Sequence, residues 1–318
     1  MADPTRAPRD HSANKGSNMR DLKGYGNRLP DVRWPGNARL AVSFVLNFEE
    51  GGEFSVRDGD PRNESVYEAI DGRAGPDPCV DSHFEYATRT AYWRVADLFG
   101  RVDAPFTLSA CGRAVERSPW LAQDAIGRGH EVAAHGYRWE SHAEMDEGTE
   151  RAAIAGAVLA IVAATGKRPV GWHTRSAASP NTRRLLAEQG FLYDNDAYND
   201  DTPYFVSAGT RRHLVLPYAF DTNDMQFQHS SRFVTAASFS EYVCDACDWL
   251  GQEGARVPRM LSIGLHLRMI GRPGRVRAVQ EILEHLRGIG AWVATREQIA
   301  RHWLEHAPAP GHQDATAR

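Results

Sequence analysis

Strand-length apolar runs alternate with helix-length patterns along almost the whole of this chain. The first such run, Arg39-Leu40-Ala41-Val42-Ser43-Phe44-Val45, alternates as a strand does. It continues into Leu46-Asn47-Phe48-Glu49-Glu50-Gly51-Gly52-Glu53, so two adjacent carboxylates leave the end of a core strand where glycines turn the backbone. Residues 105–109, 131–135, 170–173, 214–218, 260–266 and 291–294 read as further strands. Residues 85–100, 118–127, 144–165, 180–189, 238–253 and 275–288 read as helices, several stopped by a glycine. Such alternation predicts an α/β fold with a mainly parallel sheet. About seven strands fits a β/α barrel better than an open sheet. Residues 51–80 are polar and rich in Gly and Pro, and form a loop too long to be a plain connector.

At 318 residues, with 42% apolar and 25% charged residues, the chain has the make-up of a globular catalytic domain, placed at 21–306. Residues 1–20 and 307–318 read as disordered tails. A net charge of −4 argues against a nucleic-acid partner. No apolar run approaches the roughly 20 residues of a membrane span, and the N-terminus has no secretory pattern. With Cys79, Cys111, Cys244 and Cys247 too scattered for a disulfide framework, the expected setting is cytoplasmic.

Polar groups leave several strands at what should be one rim. Glu49 and Glu50 end the first strand, His135 ends 131–134, and His266 ends 260–265. In β/α barrels that rim carries the chemistry. Adjacent carboxylates there can divide the work, one orienting a group and the other moving a proton. The plain alternative for Glu49-Glu50 is a solvated acidic turn.

In order, these segments resemble the polysaccharide deacetylase family over roughly residues 30–305. The acidic pair, Gly129-His130-Glu131-Val132-Ala133-Ala134-His135 and Leu261-Ser262-Ile263-Gly264-Leu265-His266 carry the resemblance. Asn47 to Glu53, His135-Gly136-Tyr137-Arg138-Trp139, Asp221-Thr222-Asn223-Asp224-Met225 and Ile270-Gly271-Arg272-Pro273 resemble one branch, the allantoinases of urate catabolism. The resemblance implies an irregular, incomplete β/α barrel, hydrolysis of a cyclic ureide or imide, and a homo-oligomer. Deacetylases of the family carry Asp-Asp where Glu49-Glu50 stands, and two metal-binding histidines where His135 and Trp139 stand. Indole nitrogen only donates, so Trp139 cannot bind a metal. Glu50 and His135 alone fall short of the three protein ligands usual for catalytic zinc. No cofactor is therefore expected, with a divalent zinc ion bound by Glu50 and His135 as the open alternative. The segment His173-Thr174-Arg175-Ser176-Ala177-Ala178-Ser179-Pro180 departs from both patterns.

Opening a cyclic amide by water needs a base, a donor for the developing oxyanion and an acid for the leaving nitrogen. Glu49 is read as the base or water-positioning group, and His266 as the acid. His135 is read as a group that holds Glu50 or polarises the carbonyl. Arg175, Asn223 and Asp224 are read as substrate contacts through planar hydrogen bonds, and Trp139 as an apolar wall. The expected partner is a small molecule. Two other readings stay open: a metal-dependent carbohydrate N-deacetylase, and a catalytically silent binding protein on the same fold.

Overall fold

The structure, a computed structural model, describes residues 20–27, 29–65, 74–175, 177–228 and 233–307. The expected tails lie outside the described residues except for Arg20 and Ala307, as do residues 66–73 of the long loop.

Strand β1, Leu40–Phe48, is buried along its whole length because both of its edges are paired. Val45 to Phe48 pair in parallel with β2, Thr107–Ala110. The sheet then runs in parallel through β3 (Glu131–Ala134), β4 (Gly171–Trp172) and β5 (Tyr193–Asp194). Strand β6, Tyr204–Ala208, forms an antiparallel hairpin with β7, Arg211–Val215, and β7 returns to pair in parallel with β5. On the other edge of β1 lies β8, Arg259–His266, in register from Leu40 to Asn47. β9, Trp292–Val293, pairs with Ala41 and Val42.

The result is the expected curled, incomplete barrel with its helices around it. The strand number differs: the sheet has nine strands among the described residues, and β6 is antiparallel, where the sequence reading gave about seven parallel ones. β5 is only two residues long and carries no periodicity. β6 is a half-exposed edge hairpin strand, which lacks the continuous apolar character of a buried parallel strand.

Helices follow the expected alternation with sharper ends. Helix α1, Pro78–Tyr86, is capped by Asp77 and runs through a wide turn, Ala87–Ala91, into α2, Tyr92–Arg101. Next come α3, Gly112–Arg117, which the sequence reading missed, α4, Pro119–Gly127, and α5, Glu147–Thr165. α6, Thr182–Glu188, and α7, Ala236–Glu253, precede the short α8, Leu267–Ile270. α9, Pro273–Gly288, and α10, Arg296–His306, complete the series. Among the described helices, α5 alone is long and apolar enough to cross a membrane, which corrects the reading that no run comes near that length. Here it packs on α3, α4 and β3, burying Ile154, Ala157, Val158 and Ile161. Cys244 and Cys247 lie one turn apart in α7, and both are free thiols.

Between its edge strands β6 and β8 the barrel stays open as a sheet. Individual contacts cross the seam instead: Met260 N–H donates to Asp201 O (2.8 Å), and Gly264 N–H donates to Thr222 O (3.0 Å). Arg296, at the start of α10, is fully buried inside the barrel and bonds to both sides of that seam. It donates to Ser43 and Ser262 hydroxyls (3.0 and 2.8 Å), Asn195 Oδ1 (2.7 Å), and the carbonyls of Leu216 (2.5 Å) and Pro217 (2.9 Å). Each buried acceptor left unpaired costs about 1–3 kcal/mol. Arg296→Leu is therefore expected to lower stability by at least about 3 kcal/mol in urea unfolding. A midpoint close to wild type would show that the seam closes without this guanidinium.

Candidate active site

Four strand ends converge on one buried cluster. Glu49 and Glu50 follow β1, His135 follows β3, His173 follows β4, and His266 ends β8. Gly51 has φ 100°, and Gly52 N–H donates to Glu49 O (2.8 Å), so the chain reverses directly after the carboxylates. Such a φ is accessible to glycine without strain. Gly136 repeats the device after His135, with φ 83°. Trp139 N–H donating to Gly52 O (3.0 Å) ties the two turns together.

The centre of the cluster is a residue the sequence reading did not single out. Arg268, two positions beyond His266 in α8, is almost fully buried. Its Nη1 donates to Glu49 Oε2 (2.5 Å) and to Glu50 Oε1 (3.1 Å). Glu49 Oε1 in turn lies 3.3 Å from His135 Nε2 and 3.5 Å from His266 Nε2. Asp224 closes the far side of His266, with Oδ1 2.7 Å from Nδ1 and Oδ2 accepting the backbone N–H (2.9 Å). His135 donates from Nδ1 to His173 O (2.7 Å).

These contacts sort the protonation states. Burial favours the neutral form of Glu49, but Arg268, His266 and His135 outweigh it and hold its carboxyl well below the usual range. Burial pushes Glu50 up, Arg268 opposes that, and the Glu49 charge adds to the rise. Glu53, beyond the turn, is pushed by burial to about 7. Burial alone would lower His266, yet Glu49 and Asp224 reverse the effect and raise it. A carboxylate near each ring nitrogen, at 2.7 Å from Nδ1 and 3.5 Å from Nε2, favours the charged imidazolium.

The structure places the expected substrate contacts differently. Asp224 is fully buried behind His266, with both oxygens committed to it, so it orients the imidazole and does not face a ligand. Asn223 is also buried. Its Oδ1 accepts from Met225 N–H (3.0 Å), and its backbone bridges to Gly264, so it serves the seam. Arg175 spends its fork on Glu64 (2.9 and 3.0 Å) and on Trp139 O (2.6 Å). Trp139 carries the guanidinium of Arg175 3.5 Å and that of Arg268 4.7 Å from its ring. His135 meets Glu49, where the sequence reading had it holding Glu50 or polarising the carbonyl. Arg268 carried one available signal: an arginine two residues past a strand-end histidine. Its pairing across more than two hundred residues has no local trace.

Divalent zinc does not fit this donor set. The positive charge that two adjacent carboxylates require is already supplied by Arg268 at 2.5 and 3.1 Å.

Removing the guanidinium leaves two buried carboxylates without a counter-charge. Arg268→Met is expected to cost about 3–5 kcal/mol at pH 7. The depressed Glu49 contributes stability above its unfolded value of about 4.3 and loses it as pH falls. The penalty should therefore shrink in urea titrations at about pH 4, where the variant's carboxyls are neutral. A pH-independent penalty would contradict the charge balance.

Comparison with known proteins places these features in a family. The sequence profile of the polysaccharide deacetylase family matches residues 72–193. A Schizosaccharomyces pombe protein, provisionally named a polysaccharide deacetylase, is 38% identical over 316 residues, covering 91% of this chain and 98% of the relative. The crystal structure of PuuE allantoinase superposes with TM-score 0.87 at 43% identity, covering 91% of this chain and 98% of that one. A Pseudomonas aeruginosa PAO1 structure, provisionally named a polysaccharide deacetylase, superposes with TM-score 0.87 at 44% identity, covering 91% and 99%. The chain belongs to the polysaccharide deacetylase family of hydrolases.

Proposed function

We propose that this protein opens a small cyclic amide, a cyclic ureide or imide, by hydrolysis of its ring C–N bond without a divalent metal. The observation that carries the proposal is Arg268, shared by Glu49 and Glu50 where a metal-dependent deacetylase needs its cation. The relatives' names divide between allantoinase and polysaccharide deacetylase, so the names alone do not choose the substrate. A ring amide that is strained or activated needs less electrophilic help than an acetamide, and an arginine-centred site suits it. A cavity of about 210 Å³ borders Glu50, lined also by Glu53, Phe84 and Arg117.

The protonation states assign the steps. Glu49 is a fixed anion, too weak a base for its depressed pKa, and its work is to hold Arg268 and both imidazoles. This moves the base from Glu49, where the sequence reading put it, to Glu50, whose pKa is raised and which borders the cavity. Glu50 takes a proton as the water oxygen bonds to the ring carbonyl carbon. Arg268 and His135 face the negative charge that develops. His266, held as imidazolium by Glu49 and Asp224, gives its proton to the nitrogen as the C–N bond breaks. The products are a carboxylic acid, which ionises by releasing its remaining proton to solvent, and a free amide or ureido nitrogen, and the proton on Glu50 returns to His266 through solvent.

Glu50→Gln and His266→Ala are each expected to lower turnover by about 10²–10⁴-fold with folding retained. The substrates to test are allantoin, succinimide and dihydrouracil, with a chitin oligomer as control. Faster release of acetate from the chitin oligomer than opening of every ring would overturn the proposal. Chelator-treated protein should keep its rate, and loss of turnover restored by zinc would refute the metal-free site. The acid form of His266 is present below its raised pKa and lost above it, so kcat/KM should fall on an alkaline limb lying above about 6.5. Asp224→Asn should move that limb to lower pH. An unmoved limb would assign it to another group.

A further inference from the structure

His173 ends β4 inside the same cluster, yet none of the steps above uses its side chain. Its ring lies parallel to that of His135, with centroids 5.0 Å apart and planes 3° from coincidence, and 4.6 Å from the ring of Tyr218. Its carbonyl is the acceptor that orients His135. Nδ1 lies 3.2 Å from Asp196 Oδ1, approached obliquely and short of hydrogen-bond alignment. Asp196 is itself fixed by Thr174, whose N–H (2.7 Å) and hydroxyl (2.6 Å) both donate to it. Nε2 makes no hydrogen bond among the described residues, and the side chain, otherwise buried, keeps 8% of its surface open.

This setting fixes the hydrogen-bonding character of the ring. Burial and the neighbouring His135 hold His173 below the ordinary histidine value, with Asp196 opposing, so the ring is neutral near pH 7. A neutral imidazole carries one N–H, and the carboxylate beside Nδ1 keeps it there. Nε2 is then an acceptor only. A cyclic ureide or imide presents a matching donor, the N–H next to the carbonyl that water attacks. A simple acetamide of a sugar presents its N–H on a freely rotating arm.

We propose that His173 is a specificity-determining residue that accepts, at Nε2, a hydrogen bond from an unsubstituted ring N–H, restricting the substrate to cyclic ureides and imides with that N–H free. The proposal rests on the ring-opening reading above. Asp196 is a positioning residue that sets the tautomer. Sites built to hydrogen-bond a substrate N–H reject analogues lacking it far more strongly than apolar pockets reject a methylene.

The test compares ring opening of succinimide and N-methylsuccinimide by wild type, His173→Phe and His173→Gln. Wild type is expected to favour succinimide by about 10²-fold or more in kcat/KM. His173→Phe keeps a flat ring but no acceptor, and should lose most of that preference by slowing on succinimide alone. His173→Gln, which restores an acceptor oxygen, should recover part of it. Damage to packing would slow both substrates alike and leave the ratio unchanged, so an unchanged ratio in an active His173→Phe enzyme overturns the role of His173. Wild type that opens neither ring, nor allantoin, nor dihydrouracil overturns the ring-opening reading, and this one with it.

Discussion

One guanidinium shared by two adjacent carboxylates organises the rest of this site. Glu49 and Glu50 are both almost fully buried, and two such charges side by side in a low-dielectric interior repel strongly. Arg268 resolves the conflict unequally, since it lies closer to Glu49 than to Glu50. That asymmetry drives their acidities apart, which is how two chemically identical groups acquire different tasks. The consequences spread outward. A permanently charged Glu49 raises His266, and Asp224 behind it adds to the effect. On the proposed reading, acid and base both emerge from this one charge balance.

The fold supplies what such a balance requires, namely rigid placement. Each group leaves a different parallel strand at the same end, so backbone hydrogen bonds in the sheet fix their separations. Asn47 of β1 is in register with His266 of β8, which brings Glu49 and His266 within 3.5 Å although more than two hundred residues separate them. Turns with positive φ at Gly51 and Gly136 then redirect the chain before it can cover the rim. Trp139, docked on Gly52 through its N–H, forms a wall between the guanidinium groups of Arg175 and Arg268.

What was legible in the sequence divides along physical lines. Long strands buried on both faces, such as β1 and β8, write themselves as continuous apolar runs, and the rim residues at their ends could be placed from that alone. Two-residue β5 and the edge strand β6 leave no such trace, because short or half-exposed pairing is set by neighbours and not by local pattern. The same divide runs through the site. Glu49, Glu50, His135 and His266 were readable as strand-end groups. Arg268 was not, since a buried arginine looks like a surface one until its partners are known. Asp224 was found but given the wrong neighbour: sequence shows a carboxylate near a turn, and only the fold shows that His266 stands between it and any ligand.

Covering the site creates a last constraint. Glu64, from the loop that leaves the carboxylate pair, is buried and paired through both oxygens with Arg175. Asp60 of the same loop is held by Arg138 at 2.6 and 2.8 Å, which depresses its pKa to about 2. Loop and rim are thus joined by arginine forks whose guanidinium groups also face Phe54 and Trp139. A forked pair stacked on an aromatic ring holds its geometry better than a flexible ammonium contact. The cover also excludes water from Glu49 and His266, so the charges beneath it act in a low dielectric where their mutual effects are large. On the proposed reading, a small ring that enters beside Glu50 leaves both forks in place.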